Sequence, residues 1–139
     1  MTRSMMSFAL GLVVLLAVAC SAGSSASPSP TLGGTSWTVD SIGGAPVIAT
    51  STPTIAFAAG GTVSGTTGCN TYNGSYTVNG SSIKFGPLSM TQMACPDPVA
   101  AQERAFSLAI SGATSWAIGS DGKLTLSGVA AIVSAPAAK

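Results

Sequence analysis

Ser64-Gly65-Thr66-Thr67-Gly68-Cys69-Asn70-Thr71-Tyr72-Asn73-Gly74-Ser75-Tyr76 is the stretch whose reading decides the fold. Gly65, Gly68 and Gly74 give the backbone freedom around a tight turn or bulge. Asn70 and Asn73 can bond to nearby backbone and tolerate left-handed geometry. Tyr72 and Tyr76 bring ring area with a polar tip. Immediately downstream, Tyr76 and Val78 alternate with Ser75 and Thr77, which is the period of a half-buried strand. Asn79-Gly80 follows, the strongest hairpin-turn signal in the chain, and Ile83 and Phe85 lead back.

The same grammar extends in both directions. Trp37, Val39 and Ile42 suggest a first strand, ended by Gly43-Gly44. Ile55 and Phe57 alternate with small residues, Gly60-Gly61 turns, and Thr62 to Gly65 returns as a hairpin. Late in the chain Trp116 and Ile118 alternate, Ser120-Asp121-Gly122 turns, and Leu124 and Leu126 alternate again. Ala130 to Val133 reads as a last short strand, with residues 134–139 as a frayed tail. One segment breaks the pattern. Val99, Gln102 or Glu103, Phe106, Ala109 and Ile110 recur at helical spacing. Asp97 is placed to cap that helix, Pro98 to open it, and Gly112 to close it in a left-handed conformation. The predicted fold is mainly β (α+β): an antiparallel meander of seven or eight strands, with one amphipathic helix over Pro98–Ser111. Such a sheet removes its edges by curling into a small barrel, and the helix covers an open end or face.

The beginning of the chain reads as targeting, not structure. Arg3 precedes an apolar run from Phe8 to Ala19, too short for a span of roughly 20 apolar residues. The run meets Leu16-Ala17-Val18-Ala19-Cys20, which resembles a lipobox, although Ala17 stands where Leu is usual. Cys20 is therefore expected to carry lipid; the alternative is an ordinary signal peptide cleaved after Ala19 or Ala22. The expected organisation is a signal peptide over 1–19, a lipidated Cys and flexible tether over 20–33, and a folded domain over 34–133. This places the protein, as a monomer, on the extracytoplasmic side of a membrane in the cell envelope. Of three cysteines, Cys20 is then assigned to lipid and Cys69 and Cys95 remain. In an oxidising compartment the two are expected to pair; the alternative is two free buried thiols. Only 6% of residues are charged and the formal net charge is +1, so nothing electrostatic points to nucleic acid.

The opening stretch, together with Met90-Thr91-Gln92-Met93-Ala94-Cys95-Pro96, resembles the signature of the META (HslJ-like) domain family. Gly34-Thr35-Ser36-Trp37 and the helix with Glu103 and Phe106 stand in the family's order, so the resemblance covers Leu32 to Gly128. It implies a barrel-like antiparallel fold with a helix, on proteins often anchored in the bacterial envelope. The family is linked to heat shock, antibiotic tolerance and motility or virulence, with no established enzymatic activity. Two readings of the motifs stay open. Either Asn70, Tyr72, Asn73, Thr91 and Gln92 form a recognition surface on a disulfide-pinned corner, or they bond inward and hold the turn together.

Catalytic signatures are sparse. The chain has no histidine, which removes Ser-His-acid triads, Cys-His pairs and the commonest metal ligand. No metal site and no cofactor are expected. The acids are Asp40, Asp97, Glu103 and Asp121, and a glycosidase pair such as Asp40 with Glu103 is weak. Ser81-Ser82-Ile83-Lys84 matches an SxxK pattern, but it follows a hairpin turn and reads as strand. The expectation is a non-catalytic envelope-stress or envelope-maintenance lipoprotein that binds an envelope protein. The alternatives are a barrel holding a small apolar ligand among Phe57, Ile83, Phe85, Trp116 and Leu126, or a secreted inhibitor of a protease or lysozyme.

Overall fold

The computed structural model describes residues 29–139, with Gly23 the one described residue before them. The signal-peptide and Cys20 expectations concern residues outside this range. Ten strands and one helix follow in the order β1 (Thr35–Ile42), β2 (Ala45–Pro46), β3 (Thr54–Phe57), β4 (Thr62–Thr66), β5 (Thr71–Asn79), β6 (Ser82–Phe85), β7 (Ser89–Met90), α1 (Val99–Ser111), β8 (Ala113–Ile118), β9 (Leu124–Gly128) and β10 (Ile132–Pro136).

Eight of these strands close an antiparallel barrel in the order β1-β3-β4-β5-β6-β8-β9-β10, with β10 returning to β1. β2 extends β1 as a short hairpin, and β7 adds to β5. Closure covers most of the strand edges, and the seam between β6 and β8 is the thinnest, a single pair of Ser82 with Ser115. Trp37 and Val39 face inward two residues apart, but the next inward residue is Ile42. The register of β1 against β10 shifts between Val39 and Ser41, and this bulge turns Ile42 into the core instead of Ser41.

The strand directions give the barrel two different ends. One end carries Ile42, the Thr66–Asn70 connection, Ala113 and Ile132. Helix α1 covers it, packing against β1, β6, β9 and β10. Phe106, Ala109 and Ile110 point into the barrel from the helix and are completely buried. Burying a side chain the size of Phe106 contributes about 1.5–3 kcal/mol. Its ring lies 5.5 Å from that of Tyr72. The opposite end is an open rim made by Leu32 to Thr35, Ala58 to Gly61, the Gly80-Ser81 turn and Ser120 to Gly122. Near it Phe57 and Tyr76 pack edge to face at 4.9 Å, and the Tyr76 hydroxyl donates to the Ala58 carbonyl.

Five local expectations need correction. The β5–β6 turn forms one residue later than the Asn79-Gly80 signal: Asn79 pairs with Ser82, and Gly80 takes the positive φ of 59°. Gly in the first of two loop positions is the II′ solution. Asp97 does not cap the helix; the Pro96 carbonyl accepts the Ala100 N–H, and the Asp97 carboxylate faces Arg104 at 3.5 Å. Gly112 is not left-handed (φ −94°) and is small for another reason: a Cβ there would meet the Val129 side chain at 2.6 Å. The tail expected over 134–139 is strand as far as Pro136, and the Ala137 N–H donates to the Ser36 carbonyl. Its Ala-rich composition hid an alternation in which Ile132 and Ser134 face inward. At the other terminus, Leu32 is already buried, so the domain begins ahead of residue 34.

Candidate functional site

Cys69 and Cys95 are joined, with Cα atoms 6.2 Å apart, and the bond links the β4–β5 connection to the approach to α1. Beneath it lies the densest polar cluster of the described residues. The Thr67 N–H donates to the Asn70 carbonyl at 2.7 Å, making a tight turn. The Asn70 N–H returns to the Thr67 hydroxyl at 2.9 Å. Both residues are buried, at 0% and 2% exposure, so their polar groups must be satisfied inside the protein.

Glu103 supplies most of that satisfaction. Its helix position turns the carboxylate toward the turn, where it accepts the Thr67 hydroxyl at 2.5 Å and the Asn70 N–H at 3.3 Å. The Asn70 amide donates to its two oxygens at 3.1 and 2.8 Å. On its other side, the Asn70 side-chain oxygen Oδ1 accepts from the Thr91 hydroxyl at 2.9 Å and the Met93 N–H at 2.7 Å. Asn70 thus joins the turn, the helix and the Met90–Ala94 loop. Gln102, one residue earlier, accepts from the Ile48 N–H at 2.7 Å and donates to the Ser51 carbonyl at 2.6 Å. Gly68 lets these segments close up: its φ is +93°, and a Cβ would sit 2.2 Å from the Ser51 oxygen.

These contacts divide the five residues expected on one surface. Asn70 and Tyr72 are not on it. Asn70 is spent on internal bonds, and Tyr72 is buried with its hydroxyl donating to the Thr54 carbonyl at 2.8 Å. Burial pushes the Tyr72 phenol far above its ordinary range. Asn73, Thr91 and Gln92 are exposed, as is Met93 at 62%. Around the last three runs a shallow groove of about 370 Å³, reaching Asn70 and Glu103 at its base. Sequence reasoning missed Thr67, and treated Glu103 and Gln102 as alternatives on one helical stripe when both are used. An acid beside the apolar positions of a short helix was the signal available for Glu103.

The remaining polar features are occupied elsewhere. Asp40 meets Lys123 at 2.8 Å, whereas Glu103 is held by Thr67 and Asn70, so the two carboxylates serve different contacts. Ser81 lies in the turn before β6 and Lys84 stands exposed on that strand, so the two are not one helical turn apart. Among the described residues no three His, Cys, Asp or Glu side chains converge as a metal-binding group would require. Phe57, Ile83, Phe85, Trp116 and Leu126 are all buried inside the barrel, which they fill.

A family model described as "META domain" matches residues 30–137. Two solved structures share the fold. One, an NMR structure of a protein from Burkholderia xenovorans, aligns with a TM-score of 0.63 and 22% identity over 84% of this chain and 97% of that one. The second, also an NMR structure, aligns with a TM-score of 0.62 and 20% identity over 76% and 95%. No curated protein matches the chain in sequence.

Proposed function

The chain belongs to the META domain family, and from that premise we propose that it is an exported, lipid-anchored envelope protein that acts in envelope stress or maintenance by binding, without catalysis. The anchor rests on Cys20, at the point where the apolar run Phe8–Ala19 ends and ahead of Leu32, the first buried residue among those described. The binding reading rests on one observation. Beside the disulfide, the inward polar groups saturate one another and leave Asn73, Thr91, Gln92 and Met93 exposed on a fixed frame. Groups held this way lose little entropy when they meet a partner. The carboxylate at the base of the groove already accepts hydrogen bonds from Thr67 and Asn70, so it serves the frame rather than acid–base chemistry. A barrel that holds an apolar ligand is disfavoured, because its candidate lining residues occupy the interior themselves.

The test is crosslinking of the anchored protein in its native membrane. Wild type should capture a partner that Gln92→Ala and Met93→Ala variants of unchanged melting temperature do not. Equal capture by all three would place the binding surface elsewhere, with the exposed face of α1 the next candidate. Anchoring is tested separately. Two or more acyl chains hold stably, at about 0.8 kcal/mol per buried CH₂, so Cys20→Ala should appear in the soluble fraction or fail to mature. Identical fractionation, with no lipid on the N-terminal peptide, would end the lipoprotein reading.

A further inference from the structure

The chain enters the barrel at the open rim, opposite the helix and the disulfide corner. Gly34 donates to the Phe57 carbonyl and Leu32 is buried at that end. Ser29 and Pro30 line a groove of about 340 Å³ with Gly80, Ser81, Trp116 and Ile118, all at the rim. The Trp116 indole donates to the Gly80 carbonyl at 2.9 Å, which fixes this wall of the groove. From β1, of eight residues, the two ends are about 20 Å apart, allowing about 3.3 Å per residue and a tilt of about 40°. Cys20 precedes Ser29 by nine positions (29 − 20 = 9). That length reaches at most about 30 Å.

We infer that the barrel stands on the membrane rim-down, so that the lipid surface faces the Gly80-Ser81 and Ser120–Gly122 turns. Helix α1 and the disulfide corner then face away from the bilayer. This rests on the lipid-anchor reading of Cys20 and deepens it. The orientation comes from where the chain enters and how little of it lies before that point. It does not come from charge, because Lys123 beside the rim is engaged by Asp40 and the adjacent Asp121 is acidic. With α1 against the bilayer the rim would stand about 30 Å from it, the height of the barrel together with a helix diameter of about 10 Å, and this takes the whole extended reach of the connection. The groove beside Gln92 and Met93 is thereby kept free for a protein partner away from the bilayer, not for a lipid.

Site-directed fluorescence quenching reads this directly. The mature lipidated protein, disulfide intact, is reconstituted in vesicles of phosphatidylcholine and phosphatidylglycerol that carry a nitroxide on the choline head group. Ser120→Cys places a bimane at the rim and Leu108→Cys places one on the exposed face of α1. The rim label should be quenched several-fold more strongly than the helix label. Vesicle-bound protein with equal quenching at both positions, or stronger quenching at Leu108→Cys, overturns the orientation and leaves the anchor standing. Failure of the wild-type mature protein to float with the vesicles overturns the anchor, and the orientation falls with it.

Discussion

Asn70 and Glu103 explain at the residue scale why the corner has one conformation. Each satisfies groups that burial would otherwise leave unpaired, and hydrogen bonds to a charged acceptor are worth about 1.5–3 kcal/mol. Glu103→Gln puts a donor amide among the donors of Thr67 and Asn70. It should lower the melting temperature by about 10 °C, on the usual conversion for a domain of this size; calorimetry checks this, and an unchanged value would mean that the cluster does not hold the helix. Tyr72→Phe removes a single bond to Thr54 and should cost about 1 kcal/mol, while Gln92→Ala, at an exposed position, should cost nothing measurable. Alkaline pH probes the same layer. The folded state holds the Tyr72 proton more tightly than the unfolded chain does, through burial. Stability from this source is full below the ordinary phenol value of 10.0 and declines as pH rises above it, because unfolding then releases a proton. A melting temperature that rose above pH 10 would contradict the burial of Tyr72. Gly68 was legible in the sequence as a turn former, but Gly65, Gly74 and Asn73, read the same way, lie within β4 and β5, and which way Asn70 faces was not legible. That depends on Glu103, which lies 33 positions away and meets the turn only once the barrel has closed.

At the scale of elements, α1 is held by three separate ties. Its apolar stripe fills the end of the barrel, Gln102 and Glu103 bond to two different loops, and the disulfide fixes the segment that leads into it. The stripe could be read from the sequence, since Phe106, Ala109 and Ile110 recur at helical spacing, and so could the strand alternations. Caps and turn registers could not. Asp97 has the right chemistry for a cap but is drawn to Arg104, and Gly80 wins the turn from Asn79 because only one position there needs a positive φ. The two cysteines are 26 positions apart, so the crosslink should contribute about 3.5 kcal/mol on the chain-entropy model. Replacing both with alanine should therefore lower the melting temperature strongly. Hydrogen exchange should show the loss of protection first in the Thr67–Asn70 turn and the first turn of α1. Uniform loss across all strands would mean that the bond acts only on the unfolded chain and pins no particular element.

For the whole molecule, the decisive contact is the one that joins the ends of the domain. β10 lies between β9 and β1, so the last strand of the chain completes a cylinder that the first strand begins. A sequence reading sees alternation best where apolar and polar residues differ sharply. Here Ala135, Pro136 and Ala137 are small, so a closing strand looks like a loose end. The two views predict different results for deletion of residues 135–139. A frayed tail could be removed without consequence. The closed barrel would lose the pairs Thr38 with Ala135 and Trp37 with Pro136, and the bond from Ala137 to Ser36. The outer part of β1 would become an exposed edge beside Trp37, able to pair with another copy. Deletion should thus lower the melting temperature and promote concentration-dependent association, seen together by calorimetry and light scattering. The change should begin at the rim, with faster amide exchange in Ser36 and Thr38, while the disulfide corner at the far end stays protected until global unfolding. Unchanged stability and a monomeric profile in the truncated protein would show that closure through β1 and β10 does not support the fold, and that the frayed-tail reading was right.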